Sequence, residues 1–587
     1  MTRLKLKELF KNTIRAIYES IKRFPITIGI STALVIMLII TNEKQGILSK
    51  EIIDILKRVD AILALGIPLS LCFKLIFEKR ATKIVFQTLV YGIGAGFLVL
   101  YYFLLLKDFK MVSMTRYIGV SVFLYLAFLY IPWIGNKEHY ESYVIKVLSS
   151  FLLTVIYSAV LYLGLSAILF TIDKLFNAHI PGKLFFYMFL VVAGIFAPSF
   201  FLAKIPRNNH KFSVSDYPKP LKVLLLYIVI PLVTVYTAIL YAYFAKIIIT
   251  RNWPIGLVSH LVLWYSVITV GVIFFIFPIL SENKLAKYFT FWFPKIIIPI
   301  IIMMFFSIGI RIKAYGITEN RYYVLILGLW VLGIMIYFSL CKNQKNIIIP
   351  ISLSIIALNS VFGPLSSYAV SQYSQNKRFE GILTRNNMLE DGKVTAAGTN
   401  ISEKDKTEII RIMDYFNRYH SLKGIKSLPS DFEVGDTEKV LGFPYTVGNN
   451  FGENDYFYYS SQGKEQVVKV GGYDYLIRMN ANLNKQNIDE STQVKFDIDA
   501  AAIEVVQNGA IIYEKKIGGF IANIDNKYKG SLPKDNSNID PKDLTFEDEN
   551  ENVKVKFIIN YISGVRVGSS GKINIKDVEF SLLVKIK

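Results

Sequence analysis

"PKIIIPIIIMMFFSIGIRIKAYGITENRYYVLILGLWVLGIMIYFSLC" runs from Pro294 to Cys341. Its first part, Pro294–Ile310, carries a single charge, Lys295. A polar connection, Arg311–Tyr323, follows, and the chain then turns apolar again up to Cys341. A helix needs ~20 mostly apolar residues to cross a hydrocarbon core of ~30 Å. Two such runs around a short polar link read as a helical hairpin in a membrane. The link gathers Arg311, Lys313, Arg321, Glu319, Tyr315, Tyr322 and Tyr323.

Outward from this hairpin the same pattern repeats. Apolar runs fall near 24–41, 59–77, 84–106, 114–134, 144–172, 183–203, 221–245, 257–280, 294–310, 322–341 and 347–366. The sequence therefore predicts an α-helical polytopic membrane domain of about eleven transmembrane helices. Composition agrees: 53% of the 587 residues are hydrophobic, 19% are charged, and the mean hydropathy is +0.41. Residues 1–366 hold 37 Lys+Arg against 14 Asp+Glu, and residues 367–587 hold 29 against 31. The basic excess is confined to the apolar half and scattered over its short loops. It reads as membrane-surface charge, with no nucleic acid as partner. Cys72 and Cys341 lie in apolar runs, and the five histidines, His420 among them, are spread along the chain. Neither set suggests a disulfide framework, a metal site or a cofactor.

Seven basic residues among the first 25 interleave with Leu4, Leu6, Leu9, Phe10, Ile14, Ile17 and Ile21. This predicts a basic amphipathic helix over 1–23 on the cytoplasmic leaflet, leading into an uncleaved first span. With the N-terminus inside, the inside segments carry 23 Lys+Arg and the outside segments 14. The positive-inside rule favours that orientation, and eleven spans then place the C-terminal region outside the cytoplasm.

Past the membrane domain at 24–366 comes a connecting segment, 367–400, and then a soluble region, 401–587. "SEKDKTEIIRIMDYFNRYH" (Ser402–His420) predicts a helix capped by Ser402, with Ile409, Ile410, Met413 and Phe416 on one face. The period then changes to two. "QVKFDIDA" sets Val494, Phe496 and Ile498 against charged partners, and "NVKVKFIIN" does the same with Val553, Val555, Phe557 and Ile559. These predict half-buried antiparallel strands, giving a soluble α+β or β-sandwich-like domain with a seam near 480. "KDNSNIDPKDLTFEDENEN" reads as a mobile polar loop.

No strong catalytic motif appears, which weighs against an enzyme. "GSSGK" (Gly568–Lys572) lacks the phosphate-loop spacing, and Ile539 spoils an EF-hand pattern at Asp535–Asp540. "GIGAG" (Gly92–Gly96) lies inside a span and reads as close helix packing. The few charges within spans, such as Asp60, stand near their ends. The candidate surface is therefore the opening connection. Arg311, Lys313 and Arg321 supply cationic donors, while Tyr315 and Tyr322 supply amphipathic rings. Arg251 and Trp253 of "TRNWPIG" and the polar "SSYAVSQYSQNKRFEG" (Ser366–Gly381) fall on the same predicted side. Such a surface suits an anionic lipid headgroup, an envelope polymer or another envelope protein at the lipid bilayer. A structural reading competes, with an aromatic belt in which Glu319 pairs Arg321 or Lys313.

"YPKPLKVLLLYIVIPLVTVYTAILYAYFAKIIITRNWPIG" (Tyr217–Gly256), "YGITENRYYVLILGLW" (Tyr315–Trp330), "FGPLSSYAVSQYSQNKRFEGIL" (Phe362–Leu383) and "GGYDYL" (Gly471–Leu476) resemble a family of bacterial polytopic membrane proteins classed as a domain of unknown function. The resemblance implies a many-span N-terminal region and a soluble C-terminal region, and no catalytic residues. Three functions follow as expectations. The first is an envelope-associated binding or accessory protein with an extracytoplasmic β-rich domain. The second is a transporter or lipid-handling permease with that domain as a lid. The third is a membrane enzyme in which Glu319 acts as acid or base.

Overall fold

The computed structural model describes residues 15–80, 82–134, 139–207, 212, 217–250, 257–398, 401–445, 454–461, 468–480, 484–498, 500–528, 538–567 and 572–587. The chain divides into two compact units: Met1–Gly381 with Tyr419–Gly424, and Ile382–Arg418 with Ile425–Lys587.

Among the described residues, ten helices of the first unit are long and apolar enough to cross a membrane. They are α1 (Pro25–Lys44), α2 (Lys50–Arg80), α3 (Ile84–Leu104), α4 (Met111–Trp133), α5 (Tyr140–Phe176), α6 (Lys183–Ala203), α7 (Lys219–Thr250), α8 (Ser259–Ile279), α9 (Lys284–Tyr315) and α10 (Glu319–Leu340). The expected basic helix over 1–23 is described only from residue 15, and 15–23 is helical.

The eleventh expected span, 347–366, is a correction. It forms a 12-residue helix, α11 (Ile348–Asn359). At ~1.5 Å per residue that is ~18 Å, short of a full crossing. Gly363 and Pro364 explain the stop: Gly363 takes φ +78°, and Pro364 has no N–H to donate. The chain then enters α12 (Ser367–Arg385). α11 still sits within the bundle. Tyr130 of α4 and Ser354 are hydrogen-bonded through their hydroxyls at 3.3 Å, and Trp330 Nε1 of α10 donates to Ser352 Oγ at 2.9 Å.

These helices are apolar on most faces, so burial alone does not choose their neighbours. Small residues and a few polar contacts do. Wide π turns interrupt α6 at Val192–Phe196 and α7 at Leu224–Val229, and Pro198 and Pro231 follow them closely. A proline leaves the carbonyl four residues earlier without its helical partner. For Pro198 that carbonyl belongs to Gly194, and Ser31 Oγ of α1 donates to it at 2.5 Å. Gly194 permits the approach, since a Cβ there would overlap Val35 Cγ2. In the "GIGAG" stretch only Gly94 is packed closely, against Phe73, while Gly92 and Gly96 have open space.

In the second unit, α13 (Glu403–Tyr419) buries Ile409, Ile410, Met413 and Phe416, and Ser402 Oγ accepts from the Asp405 N–H at 3.2 Å. Two antiparallel sheets follow, built from β1 (Asn454–Ser460), β2 (Tyr475–Asn480), β3 (Lys485–Asn487), β4 (Thr492–Asp497), β5 (Ala502–Gln507), β6 (Ala510–Lys516), β7 (Thr545–Glu549), β8 (Val553–Val567) and β9 (Lys572–Ile586). The first sheet runs β1-β8-β9-β2, with β7 also paired to β8, and the second runs β3-β4-β5-β6. Helix α14 (Gly518–Tyr528) lies between β6 and β7 in sequence. Val494 and Phe496 of β4 share one core with Val553, Val555, Phe557 and Ile559 of β8 and Val578, Phe580, Leu582 and Val584 of β9. The two-residue period thus marks the inward face.

The expected mobile loop is a second correction within its described part. Ile539 and Leu544 are buried in that core, and Thr545–Glu549 pairs with β8. Its acidic run is the charged rim of a strand, with Glu547 on Lys556 at 2.7 Å.

Candidate functional site

The opening connection is the turn between α9 and α10. Gly316 caps α9 at φ +68°, and Thr318 stands at the N-cap of α10. The turn is held by α12. Gln375 Nε2 donates to the carbonyls of Tyr315 (3.1 Å) and Ile317 (3.0 Å), and Ser374 Oγ accepts from the Ile317 N–H at 2.8 Å. Glycine is required here by its φ, and a Cβ at Gly316 would also lie 2.8 Å from Gln375 Nε2 and displace that amide. Tyr322 Oη donates to the Leu365 carbonyl at 2.6 Å, and Tyr323 and Ser367 are linked by their hydroxyls at 3.2 Å.

Glu319 does not pair with Arg321 or Lys313, which corrects the sequence expectation. Its carboxylate is buried and accepts from His420 Nε2 at 2.8 Å. Gln372 Nε2 lies 3.0 Å from His420 Nδ1, with the amide donating, and the Tyr368 ring stands edge-on to the imidazole at 6.0 Å. The His420 side chain is 2% exposed and that of Glu319 8%. Asn376 Nδ2 fixes the same short segment by donating to the Gly424 carbonyl at 2.8 Å. Both imidazole nitrogens are occupied by protein groups, and the ring is closed to solvent. A general base needs a ring nitrogen facing its substrate. This arrangement positions a loop and does not display an acid or base.

Arg321 takes another role. Its guanidinium donates to the carbonyls of Tyr315 (3.2 Å) and Gly316 (2.8 Å), at the C-terminus of α9, where a cation is favoured. Arg378 also donates to the Tyr315 carbonyl, at 3.3 Å. The Tyr315 ring lies under both, 5.5 Å from the Arg321 guanidinium carbon and 6.0 Å from that of Arg378. Arg311 and Arg378 are near enough to repel Arg321. Lys313 and Tyr315 are exposed, while Arg311 and Arg321 are half-buried. Arg251 and Trp253 lie outside the described residues. Among the described residues no group of three or more His, Cys, Asp or Glu side chains could hold a metal.

A family described as "Domain of unknown function (DUF4153)" matches residues 29–395. The chain belongs to that family. The DUF4153 match covers the six described candidate residues together with Gln372 and Gln375, and it ends before His420 and before the "GGYDYL" stretch. The chain is also similar to the Uncharacterized protein PM1469 of Pasteurella multocida (strain Pm70), 25% identical over 290 residues. That alignment covers 48% of this chain and 48% of the relative, so the chain spans about half the length of the curated relative it matches. No solved structure matches. The DUF4153 match takes in nearly all of the ten apolar helices, and its description names no function.

Sequence reasoning missed His420, Gln372, Gln375 and Asn376. A signal was present for the last three, since positions i, i+3 and i+4 share one helix face. His420 had none, because its partner is 101 residues away. Two more buried acids were missed. Asp60, expected near a span end, is buried within α2, where one carboxylate oxygen accepts from Thr41 Oγ1 at 2.9 Å. Glu141 at the start of α5 accepts from Asn346 Nδ2 at 2.6 Å.

Proposed function

We propose that this DUF4153 member is a multi-pass protein of the bacterial plasma membrane, with a cytoplasmic N-terminus and an extracytoplasmic second unit, acting as an envelope-associated binding or accessory protein. One observation carries the sidedness. Asn346 reaches Glu141 just past the C-terminal end of α10, whereas Leu365 meets Tyr322 at its N-terminal end. The chain over 346–365 therefore returns along the whole of α10. On this reading α11 and the non-helical residues around it together make the eleventh passage, although the helix by itself is too short to cross. Combined with the bias of 23 inside against 14 outside basic residues, this favours the outer side for the second unit. On that side Arg311, Arg321 and Arg378 around Tyr315 form a surface suited to the phosphates of a lipid headgroup or envelope polymer.

Labelling tests this. Cys72 and Cys341 are replaced by alanine, and cysteine is introduced at exposed Glu551 in the β7–β8 turn. A membrane-impermeant maleimide should label intact cells. Labelling only after lysis would overturn the proposal.

A transport role is the competing proposal, and Asp60 is what favours it. Its second carboxylate oxygen is buried without a hydrogen-bond partner among the described residues, and a carboxylate inside a membrane helix is costly unless it is used. Ion or lipid flux in proteoliposomes that Asp60→Asn abolishes, with folding unchanged, would establish it.

A further inference from the structure

A pocket of ≈ 220 Å³ lies where three helices of the first unit have their ends, at the start of α1, the last two turns of α2 and the start of α3. Phe24, Ile26 and Ile84 give it apolar walls, and Lys74, Gln87 and Tyr91 give it polar ones. Ile26 is 40% exposed and Ile84 73%, so these wall residues also meet the lipid around the bundle. The ends of spans are the level of the headgroups, and lysines near them reach towards that level.

Charge at the pocket does not balance. Arg23 grips the Glu78 carboxylate with two prongs, Nε to Oε1 at 2.9 Å and Nη2 to Oε2 at 2.8 Å. Its other nitrogen contacts go to the carbonyls of Ile205 (2.7 Å) and Pro206 (3.4 Å). Lys74, the charged residue of the lining, stands 3.8 Å from Glu78 Oε1 and makes no hydrogen bond among the described residues. Two cations thus share one carboxylate that is already in use. A cation left over at the edge of a hydrocarbon layer is costly unless an anion meets it. Neutral donors stand beside it. The Tyr91 ring is fixed edge-on to Phe73 at 5.9 Å and Phe77 at 5.4 Å, while its hydroxyl has no hydrogen-bond partner among the described residues. Gln87 gives one amide hydrogen to the Thr82 carbonyl at 2.9 Å and keeps the second.

We infer that this pocket binds the phosphate of an anionic phospholipid headgroup, with Lys74 as its counter-charge, Tyr91 and Gln87 as donors, and the acyl chains outside along Ile26 and Ile84. The volume is below the ~300–1,000 Å³ of sites that enclose a drug-sized ligand, so it takes a headgroup and not a chain. Lys22, Lys79 and Arg80 stand close to it in sequence and add to the attraction of an anionic leaflet. The site is built from α1, α2 and α3, and nothing in it depends on which side of the membrane the second unit occupies.

The test uses the full chain in a neutral detergent, with bound lipid counted by native mass spectrometry. Dioleoyl phosphatidylglycerol, dioleoyl phosphatidylcholine and inorganic phosphate are the probes. The unaltered protein should retain phosphatidylglycerol over phosphatidylcholine by roughly fivefold, the equivalent of ~1 kcal/mol for one basic residue near an anionic surface. Lys74→Gln should abolish that preference and leave phosphatidylcholine retention unchanged, whereas Lys74→Arg should keep it. Lys83→Gln removes an exposed charge outside the lining and should keep most of it. Tyr91→Phe preserves the ring packing and should lower phosphatidylglycerol retention. Equal retention of both lipids by the unaltered protein would overturn the proposal. So would a preference that survives Lys74→Gln, or one that Lys83→Gln removes equally, since the charge would then act diffusely. Displacement of the lipid by equimolar inorganic phosphate would point to a soluble anion and overturn it too. The unaltered protein, Lys83→Gln and Tyr91→Phe decide the matter even where Lys74→Gln does not fold.

Discussion

The two units solve the burial problem in opposite ways. In the second, β8 alternates fully buried Val553, Val555 and Phe557 with Lys554 and Lys556, so water itself sorts the faces of that stretch. In the first, Leu163 of α5 is 65% exposed although it is as apolar as any core residue. A bilayer offers such a side chain nearly the same environment as the protein does, so hydrophobicity cannot say which helix face turns inward. That choice falls to contacts of shape and polarity, such as Ser31 on Gly194 or His420 on Glu319. The same amino-acid alphabet thus carries its folding information in the pattern of one unit and in isolated residues of the other.

The largest effect should come from the patterned unit. Phe557→Ala removes a fully buried ring from the shared core and should cost about 3–5 kcal/mol, read as earlier thermal unfolding and faster proteolysis of the strands. Leu163→Ala should shift the melting of the first unit by less than ~0.5 kcal/mol, the size of an ordinary surface change. Equal losses for the two would break the contrast.

The next effect tests isolated polar contacts. Glu319→Ala leaves the buried His420 Nε2–H without its carboxylate acceptor and should cost about 1.5–3 kcal/mol. A double-mutant cycle with His420→Ala should be strongly non-additive in detergent melting curves, because one network loses both ends. Additive losses would mean that the pair does not act as a unit.

A smaller loss should follow from shape. Gly194→Ala forces a methyl into the Val35 side chain and should cost about 1–3 kcal/mol. Val35→Ala should restore part of that loss in the same assay.

The smallest effect is electrostatic. In the second unit the guanidinium of Arg385 holds the Asp405 carboxyl below its ordinary pKa, and Asn386 assists at 2.9 Å. A pKa depressed on folding gives stability that is present above the unfolded value of ~4 and is lost as pH falls through the folded value. Arg385 is half exposed, so the pair should contribute below about 1 kcal/mol. Asp405→Asn should therefore narrow the stability difference between pH 6 and pH 3.

Much of the architecture was legible because its signals are local. Apolar run length located ten spans, and a period of two located the strands of the core. The eleventh run misled as to helix length, because hydropathy counts residues and does not weigh Gly363 and Pro364 as a helix stop. The acidic run before β8 misled in the opposite sense. Its charges suggested a loop, whereas an edge strand keeps one face charged. At the candidate site, the sequence located the polar turn and its arginines. It misassigned the partner of Glu319, because helix periodicity pairs near neighbours only.

By itself, then, the sequence determined the class of environment for each segment: membrane for the first part of the chain, water for the second, and polar turns between apolar runs. It could do so because transfer free energy is additive over a short window. Tertiary structure alone decided which side chains meet. It brought His420 back to Glu319 and set Ser31 on the carbonyl freed by Pro198. Those contacts join residues 101 and 163 positions apart, and over such distances no periodicity in the chain carries a signal.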